Sequence, residues 1–333
     1  METENKVANE LLQLSNSYWS VCALHAAVKL DLFTPLSACS FSSSKLAELV
    51  ASDDRGLAML LNALTAMGLL ERREDSYSAT DVSSRYLSRT SPHYLGHIIL
   101  HHHYLMAPWA HLDEAVRSGR PIRQQYAHGD EAAMLESFEM GMYDLAMHNA
   151  PRVVPHIDLG GRRHFLDLGG GPGTYAIQFC RHNSDLSAVV YDLPSTRPYA
   201  EKTIADSGLS DRITFKAGDF LRDRLGGPYD VAWLSQVLHG QGAAECSAIL
   251  GKVKGALAPG GMILVQEFVL ENTLDGPLFP ALFSLNMLVN TERGQSYSWR
   301  QLEGLLTVAG FRDVRRLLLP LLNGAGILAA VAA

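Results

Sequence analysis

Three glycines, three aspartates that end strands, and a histidine and a glutamate further on are the residues of this 333-residue chain whose types and spacing fit chemistry. The first set lies in residues 164–175, where a short apolar strand runs into a glycine turn and then a helical pattern. Gly169, Gly171 and Gly173 allow positive φ and a close ligand approach, and the following helix offers free N–H groups. Asp167 lies at the strand end. The spacing is G-x-G-x-G, one residue shorter than the G-x-G-x-x-G that wraps a dinucleotide pyrophosphate, which argues against a nicotinamide-dependent dehydrogenase. The next strand, Ser187–Asp192, ends in an acid followed by Leu193. A carboxylate there accepts from both hydroxyls of a ribose. A third strand, from Arg212, ends in Gly218-Asp219-Phe220. One such acid alone would as readily cap the next helix; three in order point to one ribose-bearing ligand.

A fourth strand, Tyr229–Ser235, leads into Gln236-Val237-Leu238-His239-Gly240-Gln241. A helix over 243–257 follows, then Pro259-Gly260-Gly261 and a fifth strand, Met262–Glu267. Ser-x-Val-Leu-His, then Leu-x-Pro-Gly-Gly, then a strand ending in Glu resembles the class I S-adenosylmethionine (SAM)-dependent small-molecule O-methyltransferases. That family holds plant caffeate and flavonoid, hydroxyindole and bacterial antibiotic-tailoring enzymes. The resemblance covers nearly the whole chain, including an N-terminal winged-helix dimerisation domain.

The resemblance implies a site. Asp167, the three glycines and Ser235 would hold SAM, with the glycines along its methionine part. Asp192 would meet the ribose, with Leu193 also at the cofactor, Asp219 would lie by the adenine amino group, and Phe220 would pack on the ring. His239 would take the proton of an acceptor hydroxyl, a task suited to a side chain with an ordinary pKa near about 6.5. Glu267 would orient the imidazole and stabilise its charged form. No metal is implied. Many relatives carry Asp-Trp after this histidine, where this chain has Gly240-Gln241. A second acid of many relatives is replaced by Ser296. His239 is then left with one carboxylate partner, which leaves room for a more acidic acceptor or for methylation at carbon.

The elements that position these residues read in two halves. Residues 1 to about 155 are helical in pattern; beyond them short apolar runs alternate with helices, the signature of an α/β parallel sheet. The expectation is an α/β, Rossmann-like domain with a mostly parallel seven-stranded sheet over 156–333. A winged-helix dimerisation domain precedes it over 1–90, and a helical linker covering the acceptor spans 91–155. Helices are expected over 18–32, from Ser43, and over 55–70, followed by a hairpin in 71–87. A basic third helix would suggest DNA binding, but residues 55–70 hold one Arg and no Lys. Acceptor contacts are expected from the helical cover and from the segment after the fifth strand: Phe138, Met142, His103, Phe283, Asn286, Met287 and Asn290. His97 and His101 have the i, i+4 spacing of metal ligands, but no carboxylate or Cys completes a set nearby.

Composition narrows the class. The net charge of -7 gives no overall attraction for nucleic acid or an anionic membrane. No apolar run approaches the ~20 residues of a membrane span, and the polar N-terminus is no secretory signal. The apolar tail 317–333, broken by Pro320, Asn323, Gly324 and Gly326, reads as buried strands around a turn. Cys22, Cys39, Cys180 and Cys246 lie far apart, as in a reduced cytoplasmic protein. The expectation is a cytoplasmic homodimer acting on a small aromatic or heteroaromatic acceptor. Two alternatives stay open: C-methylation of a tetrapyrrole-like ring, and a non-catalytic winged-helix sensor of SAM or a small ligand.

Overall fold

A computed structural model describes residues 2–127, 129–319, 321 and 323–333, with side chains from residue 5. Its two units are residues 1–104 with 131–144, and residues 105–130 with 145–333. The segment 91–155, expected as a separate linker, is shared between them. Pro320, one of the expected breaks in the tail, lies outside the described residues.

The first unit begins with α1 (Glu2–Asn16), α2 (Tyr18–Lys29), α3 (Phe33–Ala38), β1 (Phe41–Ser42), α4 (Ser43–Leu49) and α5 (Asp54–Ala66). β2 (Leu70–Arg73), β3 (Ser76–Ala79) and α6 (Asp81–Tyr86) complete the winged-helix order. Side-chain caps start α4 and α5: Ser42 accepts from Lys45 N–H at 3.3 Å and Asp53 from Gly56 N–H at 2.7 Å. Leu57, Leu61 and Leu64 repeat at helical spacing on α5 and pack with Phe33, Leu36, Leu46 and Tyr77. Burying each such side chain stabilises by roughly 1.5–3 kcal/mol.

Two boundaries differ from expectation. α5 stops at Ala66 and not at residue 70, because Gly68 turns the chain at φ +74° and Leu70 already pairs with Ala79. Residues 81–86 form α6 and not the end of the hairpin, because the Thr80 hydroxyl accepts from Ser83 N–H and starts a helix.

α2 also buries a histidine. His25 is 4% exposed, its ring lies edge-on to His103 at 5.6 Å, and among the described residues no partner meets its Nδ1. Burial, then the neighbouring His103 and His102, lowers its pKa to about 4. The unfolded chain therefore binds this proton more readily, so the contribution is complete above about pH 6.5 and is lost as pH falls toward 4. Urea unfolding at pH 8 and pH 5 is expected to show a loss smaller by about 2 kcal/mol in His25→Phe than in the unaltered chain; equal losses would contradict the assignment.

α7 (Gly96–Trp109), α8 (Leu112–Ser118), α9 (Arg123–Tyr126) and α10 (Glu131–Val153) follow. The second unit then alternates strands and helices: β4 (His164–Leu168), α11 (Thr174–His182), β5 (Ser187–Asp192), α12 (Arg197–Asp206), β6 (Ile213–Ala217), β7 (Tyr229–Ser235) and α13 (Ala243–Ala256). It ends with β8 (Leu257–Leu270), α14 (Leu278–Asn290), β9 (Tyr297–Ser298), α15 (Trp299–Val308), β10 (Phe311–Leu317) and β11 (Ala325–Ala332). The strand order is β10-β11-β8-β7-β4-β5-β6, with β9 beside the far end of β8. The run from β6 to β8 is parallel, and β11 is antiparallel to both neighbours.

The chain winds outward from β4 in one direction to β5 and β6, and on its other side to β7 and β8. This switch opens a crevice beyond the carboxyl ends of these strands, the usual ligand site of such sheets. Both faces are packed: Leu166, Ala232, Leu234 and Ile263 on one side, and Phe165, Phe179, Val231 and Trp233 on the other.

Two expectations about the sheet are corrected. Glu267 is not at a strand tip, because β8 continues three residues past it to pair with β9 and β11. Among the described residues, the tail is buried only in β11; Leu318 is 95% exposed. Among the described residues, no helix is long and apolar enough to cross a membrane.

Candidate active site

The crevice begins at the turn after β4. Gly169, Gly171 and Gly173 all take positive φ, at +64°, +53° and +77°, which a side chain would resist. Space matters as well: a Cβ on Gly169 would stand 2.7 Å from Val237 Cγ2. Asp192 at the end of β5 accepts from Gly171 N–H and Leu193 N–H, both at 2.7 Å. Asp167, 1% exposed, accepts from Ala176 N–H at 3.1 Å.

Burial raises both carboxylates above their ordinary range. Asp167 is pushed up to about 7, with Asp192 adding to the rise and the Ala176 bond opposing it. For Asp192 the bonds from Leu193 and Gly171 oppose the burial. Two neighbouring buried acids favour a cation beside them, and SAM carries a sulfonium and an ammonium. Leu193, 47% exposed, and half-buried Phe220 stand beyond the turn. Asp219 accepts from Leu221 N–H at 2.9 Å and pairs with Arg222 at 3.4 Å. Ser235, at the end of β7, lies beside the buried Tyr175 hydroxyl, as does Gln266. The glycine cradle and the acids thus fit SAM.

Beyond β7 a single turn, residues 238–240, carries His239. Its Nδ1 lies 2.6 Å from Glu267 Oε2. Glu267 is 1% exposed, and its Oε1 accepts from Leu238 N–H at 2.7 Å and His239 N–H at 3.3 Å. A carboxylate so placed keeps the Nδ1 proton on its own side, so Nε2 is the ring nitrogen left to accept.

Next to the imidazole stands an aromatic wall. Phe283 of α14 meets His239 edge-on at 4.8 Å, and Phe268 and Phe279 pack on Phe283 at 4.8 and 6.1 Å. Further along α14, Asn286 Oδ1 accepts from Trp109 Nε1 at 2.9 Å and from Asn290 Nδ2 at 3.0 Å. Asn290 Oδ1 is buried and meets no partner among the described residues. Met287 is buried on the same helix.

The O-methyltransferase domain profile matches residues 109–312, more than half of the chain, and the O-methyltransferase dimerisation domain matches residues 12–89. The chain belongs to the SAM-dependent O-methyltransferase family. Among its relatives is the 3-hydroxy-5-methyl-1-naphthoate 3-O-methyltransferase of Streptomyces sahachiroi, 32% identical over 97% of this chain and 95% of that one. Another is the tetracenomycin polyketide synthesis 8-O-methyl transferase of Streptomyces glaucescens, 31% identical over 92% of each. Human N-acetylserotonin methyltransferase in complex with SAM has the same fold: TM-score 0.88, 27% identity, and coverage of 98% of both chains.

Within the methyltransferase, His239, Glu267 and Phe283 come together, as do Asp167, Asp192 and the glycines. Phe138 and Met142, by contrast, lie in the first unit, with Phe138 beside His101 at 5.3 Å. His103, expected at the acceptor, has Lys29 Nζ at 3.5 Å and His25 as its neighbours, also in the first unit. His97, expected to share a face with His101, bonds Asp144 at 3.2 Å. Ser296 does not replace the missing acid at His239: its hydroxyl donates to Pro280 O at 2.7 Å.

Sequence reasoning missed Phe268 and Phe279, which pack on Phe283, and Trp109, which bonds Asn286 of α14. It also missed Tyr297 and Cys246, which brace the His239 turn from beneath. No motif marks any of them; all depend on long-range packing.

Proposed function

We propose that this O-methyltransferase moves a methyl group from SAM to the hydroxyl of a fused or heteroaromatic acceptor, with His239 as general base and Glu267 as its orienting acid. SAM, when bound, supplies an electrophilic methyl on a sulfonium. His239 Nε2 takes the acceptor O–H proton while the oxygen forms its bond to the methyl carbon. The C–S bond breaks, and its electron pair stays on sulfur. Glu267 stabilises the imidazolium that results. Asp192 accepts from the ribose hydroxyls, and Asp167 with the glycine turn receives the cationic end. Asp219 and Phe220 flank the adenine, with Leu193 beside the nucleoside and Ser235 toward the methionine part.

The observation that carries this reading is the 2.6 Å bond from His239 Nδ1 to a buried Glu267. The phenylalanines at 268, 279 and 283 favour a flat aromatic acceptor. The open Asn290 Oδ1 favours one with a second O–H or N–H, since a buried acceptor atom left unmade is costly. Met287 and Asn286 would complete this wall.

Exposed Leu11, Leu14 and Trp19 on α1 and α2 give the dimerisation domain an apolar face for a second copy. The four free thiols suit a reducing cytoplasm.

The test is incubation with SAM labelled in its methyl group and a panel of N-acetylserotonin, 3-hydroxynaphthoates and 2-naphthol. Label is expected in an aryl methyl ether. A ring C-methyl product, or no label in any acceptor, would overturn the reading.

A further inference from the structure

The turn that carries His239 is bound on every side, and only some of those bonds come from Glu267. Glu267 holds the amino end of the turn through Leu238 N–H and His239 N–H. The carbonyls are held from elsewhere. Leu238 O accepts from the Cys246 thiol at 3.3 Å, His239 O from Gln295 N–H at 2.8 Å, and Gln241 O from the Tyr297 hydroxyl at 2.5 Å. The Cys246 thiol also reaches the Tyr297 oxygen at 3.5 Å, so one chain of bonds runs beneath the turn.

Tyr297 is 1% exposed and sits in β9, paired with Val269 of β8. Val269 lies two residues beyond Glu267, so it shares that residue's side of the strand. The two ends of the clamp on the turn therefore come from neighbouring paired strands: Glu267 of β8 at the amino end and Tyr297 of β9 at the carboxyl end. A turn held at one end alone pivots; a turn held at both does not. Neighbouring residues extend the brace. The Ser296 hydroxyl donates to Pro280 O at 2.7 Å and its N–H donates to Ser284 Oγ at 3.1 Å, and both acceptors lie on α14. That helix presents Phe283 to the imidazole. The segment 295–297 thus ties the histidine turn and the aromatic wall together.

We propose that Tyr297 is a positioning residue for methyl transfer: its hydroxyl, bonded to Gln241 O, fixes the His239 turn so that the imidazole keeps its bond to Glu267 and its aim at the acceptor oxygen. The proposal rests on the reading of His239 as the base. Gly240, with no Cβ to restrict its backbone, gives the turn little stiffness of its own. The Ser296 hydroxyl is spent on Pro280 O. The rigidity that a second carboxylate on the imidazole would supply must come from the backbone brace. Misplacement of a reacting group by about 1 Å costs up to ~10²-fold in rate, so a partial loosening is worth about tenfold.

Tyr297→Phe removes the hydroxyl and keeps the ring. Two readouts are taken on variants with wild-type melting temperatures: kcat with labelled SAM and 2-naphthol, and the far-downfield proton resonance of the His239 Nδ1–H, assigned by its loss in His239→Ala. In Tyr297→Phe the resonance is expected to broaden or move upfield, and kcat to fall about tenfold with the KM for SAM unchanged. Added to His239→Ala, the substitution is expected to change nothing further, because it acts through that imidazole. A loss that persists in the His239→Ala background, or a resonance and kcat matching wild type, overturns the proposal. If Tyr297→Phe does not fold, Cys246→Ala removes the thiol's bonds to Leu238 O and to the Tyr297 oxygen and leaves the Tyr297 bond to Gln241 O; a smaller shift of the resonance and a smaller fall in kcat are expected, and wild-type values for both would contradict the brace. An active His239→Ala enzyme would instead overturn the base reading itself.

Discussion

His239→Ala is expected to lower kcat for methyl transfer by about 10³-fold and to leave the KM for SAM within about twofold. A positioned general base contributes about 10²–10⁴. The middle of that range suits a donor that is itself a strong electrophile, where much of the rate comes from holding the partners in line. The substitution removes Nε2 but leaves Glu267 Oε1 on Leu238 N–H and His239 N–H, so the turn keeps its anchor. Initial rates with labelled SAM check the kinetics, and thermal melting checks the fold. The loss should shrink for acceptors whose hydroxyl is acidic enough to ionise without help. A kcat within tenfold of wild type for a weakly acidic naphthol would place the base elsewhere.

Glu267→Gln is expected to cost nearly as much, for a different reason. The amide is the same shape and can still accept from Leu238 N–H. Its NH₂ then faces His239 Nδ1 across the 2.6 Å gap that the carboxylate spanned. An N–H opposite Nδ1 forces that nitrogen to accept, so the ring proton moves to Nε2, the nitrogen that has to take the acceptor's proton. Loss of an orienting acid through the wrong tautomer costs about 10⁴ in the serine protease triad; about 10³ is expected here. SAM binding, measured by calorimetry, should not change. Glu267→Asp shortens the reach and should recover part of the rate only if the bond to Nδ1 re-forms. Equal activity of Glu267→Gln and wild type would remove the carboxylate from the mechanism.

Much of the donor side was legible because it is local. A glycine turn, a strand-end acid and their order along the chain are all written within short windows, and sheet topology then brings them to one edge. His239 and Glu267 were legible for a related reason: His239 follows β7 and Glu267 lies within β8, strands whose pairing is dictated by apolar runs.

What sequence left unread is long-range or terminal. β8 outruns Glu267 because β9 and β11 pair with its far end, and no local pattern announces that partnership. α5 stops four residues early because Gly68 takes a left-handed turn, a choice set by the wing that Leu70 joins. α6 appeared where a hairpin was expected because one hydroxyl, that of Thr80, was free to cap it. The acceptor wall is legible only in part. Phe283, Asn286, Met287 and Asn290 share a helix whose apolar pattern reads plainly, but the direction of the Asn290 amide depends on Trp109, 181 positions earlier in the chain. Tyr297 had no signal at all, because its role is one hydrogen bond to a backbone carbonyl across the fold.

The most direct measurement of the central claim is a crystal structure with S-adenosylhomocysteine and 2-naphthol bound together. The naphthol oxygen is expected about 2.6–3.2 Å from His239 Nε2, with its ring against Phe283 and the homocysteine sulfur facing that oxygen from the side of the glycine turn. A naphthol oxygen held by some other base, or a nucleoside bound away from Asp192, would contradict it.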